Sequence, residues 1–286
     1  MSVALLSGLS SVAAHYDAVL CDVWGVIHNG RSAFVAACEA LQKFRAEQGP
    51  VILVTNAPVP KDRVTRLFPQ LGVPMDCFDD VVASGDATRN ELKRLAPGPV
   101  YRIGLDQDFG VYAGLPLEFS DDPEVAKIIC CTSLRDYPEG TPEPYREELK
   151  RLAAHELPML CANPDVQFRQ GDRLIWSAGA LAAIYEQEGG KVIRPGKPDA
   201  PIYRLAIEKA EAIVGRHIPS GQVLAIGDGP ATDVLGANRQ GFDALFIGGG
   251  IHGHAMGVGD AFLASAQKVL DADGVSAKWA MPELGW

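Results

Sequence analysis

The stretch Ala18-Val19-Leu20-Cys21-Asp22-Val23-Trp24-Gly25-Val26-Ile27 decides the fold. Four apolar residues run straight into an acidic residue, and a glycine turn follows. A strand buried on both faces reads as such an unbroken apolar run, as the strands of a parallel sheet do. Its polar terminal residue is then delivered to the sheet's carboxyl edge, where ligands bind in open α/β sheets. Asp22 is that residue. Trp24 stands two positions on, and its indole N–H can donate a hydrogen bond but does not titrate.

The same pattern recurs outward from this stretch. Short apolar runs at 18–21, 51–54, 81–83, 100–103, 127–131, 158–162, 223–226 and 244–247 end in polar or glycine-rich turns. Helix-like stretches at 34–47, 61–71, 87–95, 144–156, 178–187, 202–214, 232–240 and 261–272 separate them. Strands alternating with helices predict βαβ units and an α/β fold around a doubly wound parallel sheet. Asp199-Ala200-Pro201 and Thr232-Asp233 carry the polar and proline signals of helix starts. Residues 97–145 differ, with many prolines, the acidic turn Ser120-Asp121-Asp122-Pro123 and a Pro/Gly-rich loop. We read 87–189 as an inserted α+β cap domain, with 1–86 and 190–286 forming the core domain.

A length of 286 residues is that of about two domains. With 47% apolar and 22% charged residues the composition is globular. The net charge of −10 and the lack of a Lys/Arg-rich block argue against nucleic acid as a partner. No run approaches the ~18 apolar residues of a membrane span, and the N-terminal stretch lacks the basic region of a signal peptide. Six cysteines without a CxxC pattern read as buried thiols of a cytoplasmic protein. The glycine-rich run Gly248-Gly249-Gly250-Ile251-His252-Gly253-His254 reads as a loop rather than a phosphate or metal site.

Four segments carry chemistry, and each follows or borders an expected strand. Asp22 ends the first. Thr55-Asn56 ends the run at 51–54. Lys197 lies in Arg194-Pro195-Gly196-Lys197-Pro198. Asp228 ends the run at 223–226, with Asp233 five residues later. A carboxylate can attack phosphorus and form an aspartyl-phosphate. Paired acids next to a phosphate repel it, and a Mg²⁺ ion suits one or two carboxylates plus a phosphate oxygen. A hydroxyl at Thr55, the main-chain amides after it, and the ammonium of Lys197 are groups that hold a transferring phosphoryl group. Asp233 is placed to orient the metal shell or Lys197.

These segments, in this order, resemble the haloacid dehalogenase (HAD) superfamily of hydrolases. The pieces are Asp22-Val23-Trp24-Gly25-Val26, Leu53-Val54-Thr55-Asn56, Gly196-Lys197-Pro198 and Gly227-Asp228-Gly229-Pro230-Ala231-Thr232-Asp233. A long insertion between Thr55 and Lys197, preceded by Ala83-Ser84-Gly85-Asp86-Ala87 and containing Cys161-Ala162-Asn163-Pro164-Asp165, is similar to class IIA. That is the p-nitrophenylphosphatase and sugar-phosphatase-like group. The resemblance spans about residues 16–270. It implies a Rossmann-like HAD core and Mg²⁺-dependent hydrolysis of a small phosphorylated metabolite. Asp22 would be the nucleophile. Asp22, the main-chain carbonyl of Trp24 and Asp228, with Asp233, would form the metal site. Thr55, Asn56 and Lys197 would hold phosphate, and Asn163 and Asp165 would face the substrate. Caps of this group often pair, which implies a homodimer, with no membrane or nucleic-acid partner.

Trp24 departs from the family pattern. An aspartate at that position usually protonates the leaving alcohol and then activates water. Losing a general acid/base commonly costs about 10²–10⁴ in rate. His28 and Asp165 are the titratable residues that could replace it. The rival expectation is a HAD-like scaffold that binds a phosphorylated metabolite without turnover, and a third is a phosphotransferase that keeps its phospho-Asp22.

Overall fold

The computed structural model describes residues 2–95, 98–170, 173–250 and 256–286. In chain order the strands are β1 (Ala4–Leu5), β2 (Ala18–Cys21), β3 (Val51–Thr55), β4 (Asp80–Ala83), β5 (Val100–Ile103), β6 (Ile128–Cys131), β7 (Met159–Cys161), β8 (Gln167–Gln170), β9 (Arg173–Trp176), β10 (Val192–Ile193), β11 (Val223–Gly227), β12 (Asp243–Ile247) and β13 (Trp279–Met281). The α-helices are α1 (Val35–Glu47), α2 (Lys61–Leu71), α3 (Ser84–Leu95), α4 (Arg146–Ala154), α5 (Ala178–Gln187), α6 (Ala200–Val214), α7 (Leu235–Gln240) and α8 (Gly259–Ala272).

The chain divides into two compact units. The first holds residues Met1–Thr55, Thr65–Val82 and Pro198–Trp286. Its seven-stranded sheet has the order β1-β13-β12-β11-β2-β3-β4. The pairs from β1 through β3 are parallel, with Cys21 in register with Ile226 on one side and Leu53 on the other. Strands β2, β3 and β11 are buried along their whole length, as strands of a parallel sheet covered on both faces are. On one side Phe246, Phe262, Ala266 and Leu270 form a buried cluster that seats α8.

The second unit holds Asn56–Val64 and Ala83–Lys197. Its four-stranded sheet, β10-β7-β6-β5, is also parallel. Alternate residues of β6 serve opposite faces, as the two-residue period of a strand requires. Ile129 and Cys131 join Leu149, Leu181 and Tyr185 beneath α4 and α5. Ile128 and Cys130 join Leu92, Val111 and Tyr112 on the other side. An antiparallel hairpin, β8 with β9, is appended.

This division is wider than the expected insertion at 87–189. Helix α3 begins at Ser84 and buries Leu92 in a cluster of the second unit, and β10 is an edge strand of that unit's sheet. Residues 56–64 join it because Lys61 N–H donates to Asp86 and Gly85 N–H to the Ala57 carbonyl. That role also explains the acidic residue of Ser84-Gly85-Asp86, which serves the backbone.

Two helix starts differ from expectation. Asp199 occupies the N-cap position of α6, but its carboxylate pairs with Arg239 at 2.6 Å and makes no capping bond. Residues Pro230–Val234 wind as a π-turn before α7 begins. The N–H groups of Thr232, Asp233 and Val234 all converge on the Gly229 carbonyl. Strands β1, β10 and β13 have only two or three residues, too few for periodicity to show. No helix among the described residues is long and apolar enough to cross a membrane.

Candidate active site

The first unit gathers three acids. Asp228, Asp22 and Thr55 stand at the carboxyl ends of β11, β2 and β3, which are adjacent strands. Asp22 N–H donates to the Ile226 carbonyl at 2.8 Å, which ties the end of β2 to β11. Oxygen atoms of Asp22, Asp228 and Asp233 lie within 4.8 Å of one another, and all three residues are buried. Asp233 is turned back toward the strand end by the π-turn, and its Oδ2 accepts Gly229 N–H at 3.1 Å. Such one-turn π insertions recur at functional sites.

Glycines make room for these acids. Gly25 has φ of 81°, a conformation few other residues adopt, and a Cβ there would strike the Asp228 carboxylate. Gly250 meets the same carboxylate from another direction, and Gly227 lies against Asp233. The rest of the glycine-rich run, 251–255, lies outside the described residues.

Buried carboxylates crowded together are costly unless a cation neutralises them. An all-oxygen set of three acids suits a hard divalent ion such as Mg²⁺, Mn²⁺ or Ca²⁺. The residues therefore fit the expected metal.

Trp24 is held by packing. A Cβ on Gly30, itself at φ of 80°, would run into the six-membered ring of the indole. The Trp24 ring meets His28 edge-on, with centroids 5.0 Å apart, and His28 meets Phe68 at 6.1 Å. His28 is only 3% exposed, and its Nδ1 accepts Gly30 N–H at 3.1 Å. Burial pushes its pKa down to about 4. Burial thus favours the neutral imidazole, and its Nδ1 serves the turn at Gly30.

The second unit holds the other expected residues. The Asn56 amide is engaged with the chain around Lys197. Its Oδ1 accepts Lys197 N–H at 2.8 Å, and its Nδ2 donates to the Lys197 carbonyl at 3.2 Å and to Asp165 Oδ1 at 2.8 Å. The Asn56 side chain therefore fixes Lys197 and is committed elsewhere than to phosphate. Gly196 permits this, since a Cβ would crowd Asn56 Oδ1 and Ser84 Oγ, each 2.6 Å away. Asn163 Oδ1 accepts Asp165 N–H at 3.1 Å and shapes the Asn-Pro-Asp bend. Asn163 and Lys197 are both buried.

The expected residues thus form two groups. Asp22, Trp24, Thr55, Asp228 and Asp233 belong to the first unit; Asn56, Asn163, Asp165 and Lys197 belong to the second. Gly25, Gly30 and Gly250 are the supporting residues that sequence reasoning passes over. Their only mark in the sequence is glycine beside a functional residue or within a glycine run.

Comparisons with known proteins agree with this architecture. A family described as haloacid dehalogenase-like hydrolase matches residues 19–113, and one described as HAD-hydrolase-like matches residues 194–271. A comparison with curated proteins returned no match. A solved haloacid dehalogenase-like hydrolase from Brucella suis is 44% identical, with a TM-score of 0.83 over 87% of this chain and 94% of that one. A possible sugar phosphatase from Cytophaga hutchinsonii has the same fold at 17% identity, with a TM-score of 0.80 over 98% of each chain. The 4-nitrophenylphosphatase of Thermotoga maritima does so at 20% identity, with a TM-score of 0.71 over 96% of this chain and 97% of that one.

Proposed function

The chain belongs to the haloacid dehalogenase-like family of hydrolases, and from that premise we propose that it is a class IIA phosphatase acting on a small phosphorylated metabolite. The observation that carries this reading is the cluster of Asp22, Asp228 and Asp233, with oxygens within 4.8 Å at the carboxyl edge of a parallel sheet. One Asp22 oxygen attacks phosphorus, the bond to the leaving oxygen breaks, and the phosphoryl group rests on Asp22. Water then attacks phosphorus, the Asp22–phosphorus bond breaks, and the carboxylate returns. A Mg²⁺ ion, when bound by Asp22, Asp228, Asp233 and the Trp24 carbonyl, supplies charge neutralisation for this exchange.

Thr55, at the end of β3, is assigned to the phosphate oxygens, with the family pattern as support. Lys197 is assigned the balancing positive charge on the same ground. Asn56 is a positioning residue in this reading, because its amide fixes the Lys197 main chain. Asn163 and Asp165 are assigned to substrate choice. The compartment that fits the six buried cysteines, none of them in a disulfide, is a reducing cytoplasm.

Phosphate release from p-nitrophenyl phosphate and a panel of phosphorylated metabolites, with Mg²⁺ and with chelator, tests the proposal. Release that needs the ion and falls to background in Asp22→Asn is the expected result. Tight binding of a phosphorylated metabolite with no release by the wild type would instead favour the binding scaffold.

A further inference from the structure

The bend Asn163-Pro164-Asp165 is held within the second unit from two sides. Asp165 N–H donates to Asn163 Oδ1 at 3.1 Å, and the Asp165 carbonyl accepts Gly179 N–H at 3.2 Å, in the first turn of α5. The next residue continues the contact, since Ser177 N–H donates to the Val166 carbonyl at 3.0 Å. Gly179 allows this approach, because a Cβ there would strike the Pro164 and Asp165 carbonyls. The place at which the Asp165 carboxylate is presented is fixed in this way. That carboxylate accepts Asn56 Nδ2 at 2.8 Å. The other bonds of the same amide go to the Lys197 main chain, with Oδ1 accepting its N–H and Nδ2 donating to its carbonyl. Lys197 follows Gly196, and a glycine leaves the chain free to turn unless other groups hold it.

We propose that Asp165 is a positioning residue for Lys197, acting through the Asn56 amide; its effect on turnover rests on the phosphatase reading above. An amide side chain can sit in one place in two senses, with its oxygen and nitrogen exchanged. Lys197 N–H needs the oxygen. The Lys197 carbonyl and the Asp165 carboxylate need the nitrogen, since a carboxylate accepts and does not donate. Hydrogen bonds with an ionised partner are about twice as strong as neutral ones. The bond to Asp165 is the one of the three that ends on a carboxylate, so it contributes most to the sense in which Oδ1 faces Lys197 N–H. This duty is separate from the choice of substrate. A group that sets Lys197 acts on the phosphoryl part, which all substrates share. A group that meets the rest of the substrate acts on each one differently.

Two measurements on Asp165→Ala and Asp165→Asn test this. The first is hydrogen exchange at the Lys197 amide, followed by NMR on protein carrying isotope-labelled lysine. Asp165→Ala is expected to lower protection there by about 10-fold or more, the worth of a hydrogen bond to a charged group. Asp165→Asn keeps an acceptor oxygen but also offers a donor, and is expected to fall between Asp165→Ala and wild type. The second is kcat/KM with Mg²⁺ for p-nitrophenyl phosphate, phenyl phosphate and glycerol phosphate. All three are expected to fall by one common factor, up to about 10²-fold. Asp121→Asn, at an exposed turn of the same unit, is expected to change neither reading. Unaltered Lys197 protection overturns the inference, and so does an absent fall or one that differs from substrate to substrate. Asp165→Asn decides the matter if Asp165→Ala does not fold. No release by wild type from any of the three overturns the phosphatase reading instead, and the exchange measurement then decides this inference alone.

Discussion

The side chain of Asn56 grips the main chain of Lys197 from both sides, accepting from its N–H at 2.8 Å and donating to its carbonyl at 3.2 Å. The two residues are 141 positions apart. The grip belongs to a partly buried network that also includes Asp165.

Removing that amide takes one hydrogen-bond partner each from the Lys197 N–H, the Lys197 carbonyl and the Asp165 carboxylate. Asn56→Ala is expected to lower stability by about 2–4 kcal/mol, since an orphaned buried donor or acceptor costs about 1–3 kcal/mol. Urea unfolding measures this. Asn56→Asp keeps the acceptor but sets a carboxylate against Asp165 and the Lys197 carbonyl, so it is expected to be at least as damaging.

Gly25 is expected to control metal affinity. Gly25→Ala forces a side chain into the Asp228 carboxylate at a backbone φ of 81°. Displacing a ligand through its neighbour commonly costs about 10–100-fold in metal affinity. Calorimetric titration of Mg²⁺ or Mn²⁺ into the variant should show that loss, while Gly72→Ala, also at positive φ but with open space around it, should bind as wild type does.

Gly30→Ala separates packing from chemistry. The left-handed backbone costs about 1–2 kcal/mol for an L side chain, and the new methyl must displace the Trp24 ring. Lower thermal stability with an altered near-ultraviolet tryptophan signal is expected. An unchanged signal would show that Trp24 does not rest on Gly30.

His28 makes stability depend on pH. Its folded pKa, about 4, lies below its ordinary 6.5 because burial disfavours the cation. Between these values the unfolded chain binds the proton and the folded chain does not, so stability falls as pH drops from 6.5 to 4. The loss contributed by this group is on the order of 3 kcal/mol. In His28→Gln the slope of unfolding free energy against pH should flatten in that window; an unchanged slope would count against a neutral buried imidazole.

Much of the site is legible in the order of residues along the chain. The run Ala18–Cys21 ending in Asp22 is a buried parallel strand because its neighbours β11 and β3 cover both edges. The run 223–226 ending before Asp228 follows the same rule. The inserted unit is legible as a change in composition, but its limits are not. Ser84 starts a helix without an unusual residue to announce it, and Val192–Ile193 is too short to read as a strand. The π-turn at Pro230–Val234 is also hidden, since a polar pair such as Thr232-Asp233 marks a helix start equally well.

The amino-acid sequence by itself determined the α/β class, the order of Asp22, Thr55, Lys197 and Asp228 along the chain, and the oddity of Trp24. These follow from local rules: apolar runs make strands, and polar residues end them. Only the tertiary structure decided that Asp233 turns back to Asp22 and Asp228. It also decided that Gly25 and Gly250 admit the Asp228 carboxylate, that Asn56 serves Lys197, and that His28 Nδ1 serves the turn at Gly30. Those outcomes depend on which side chains meet across strands distant in sequence, and on the space and hydrogen-bond partners each finds there. No local pattern carries that information.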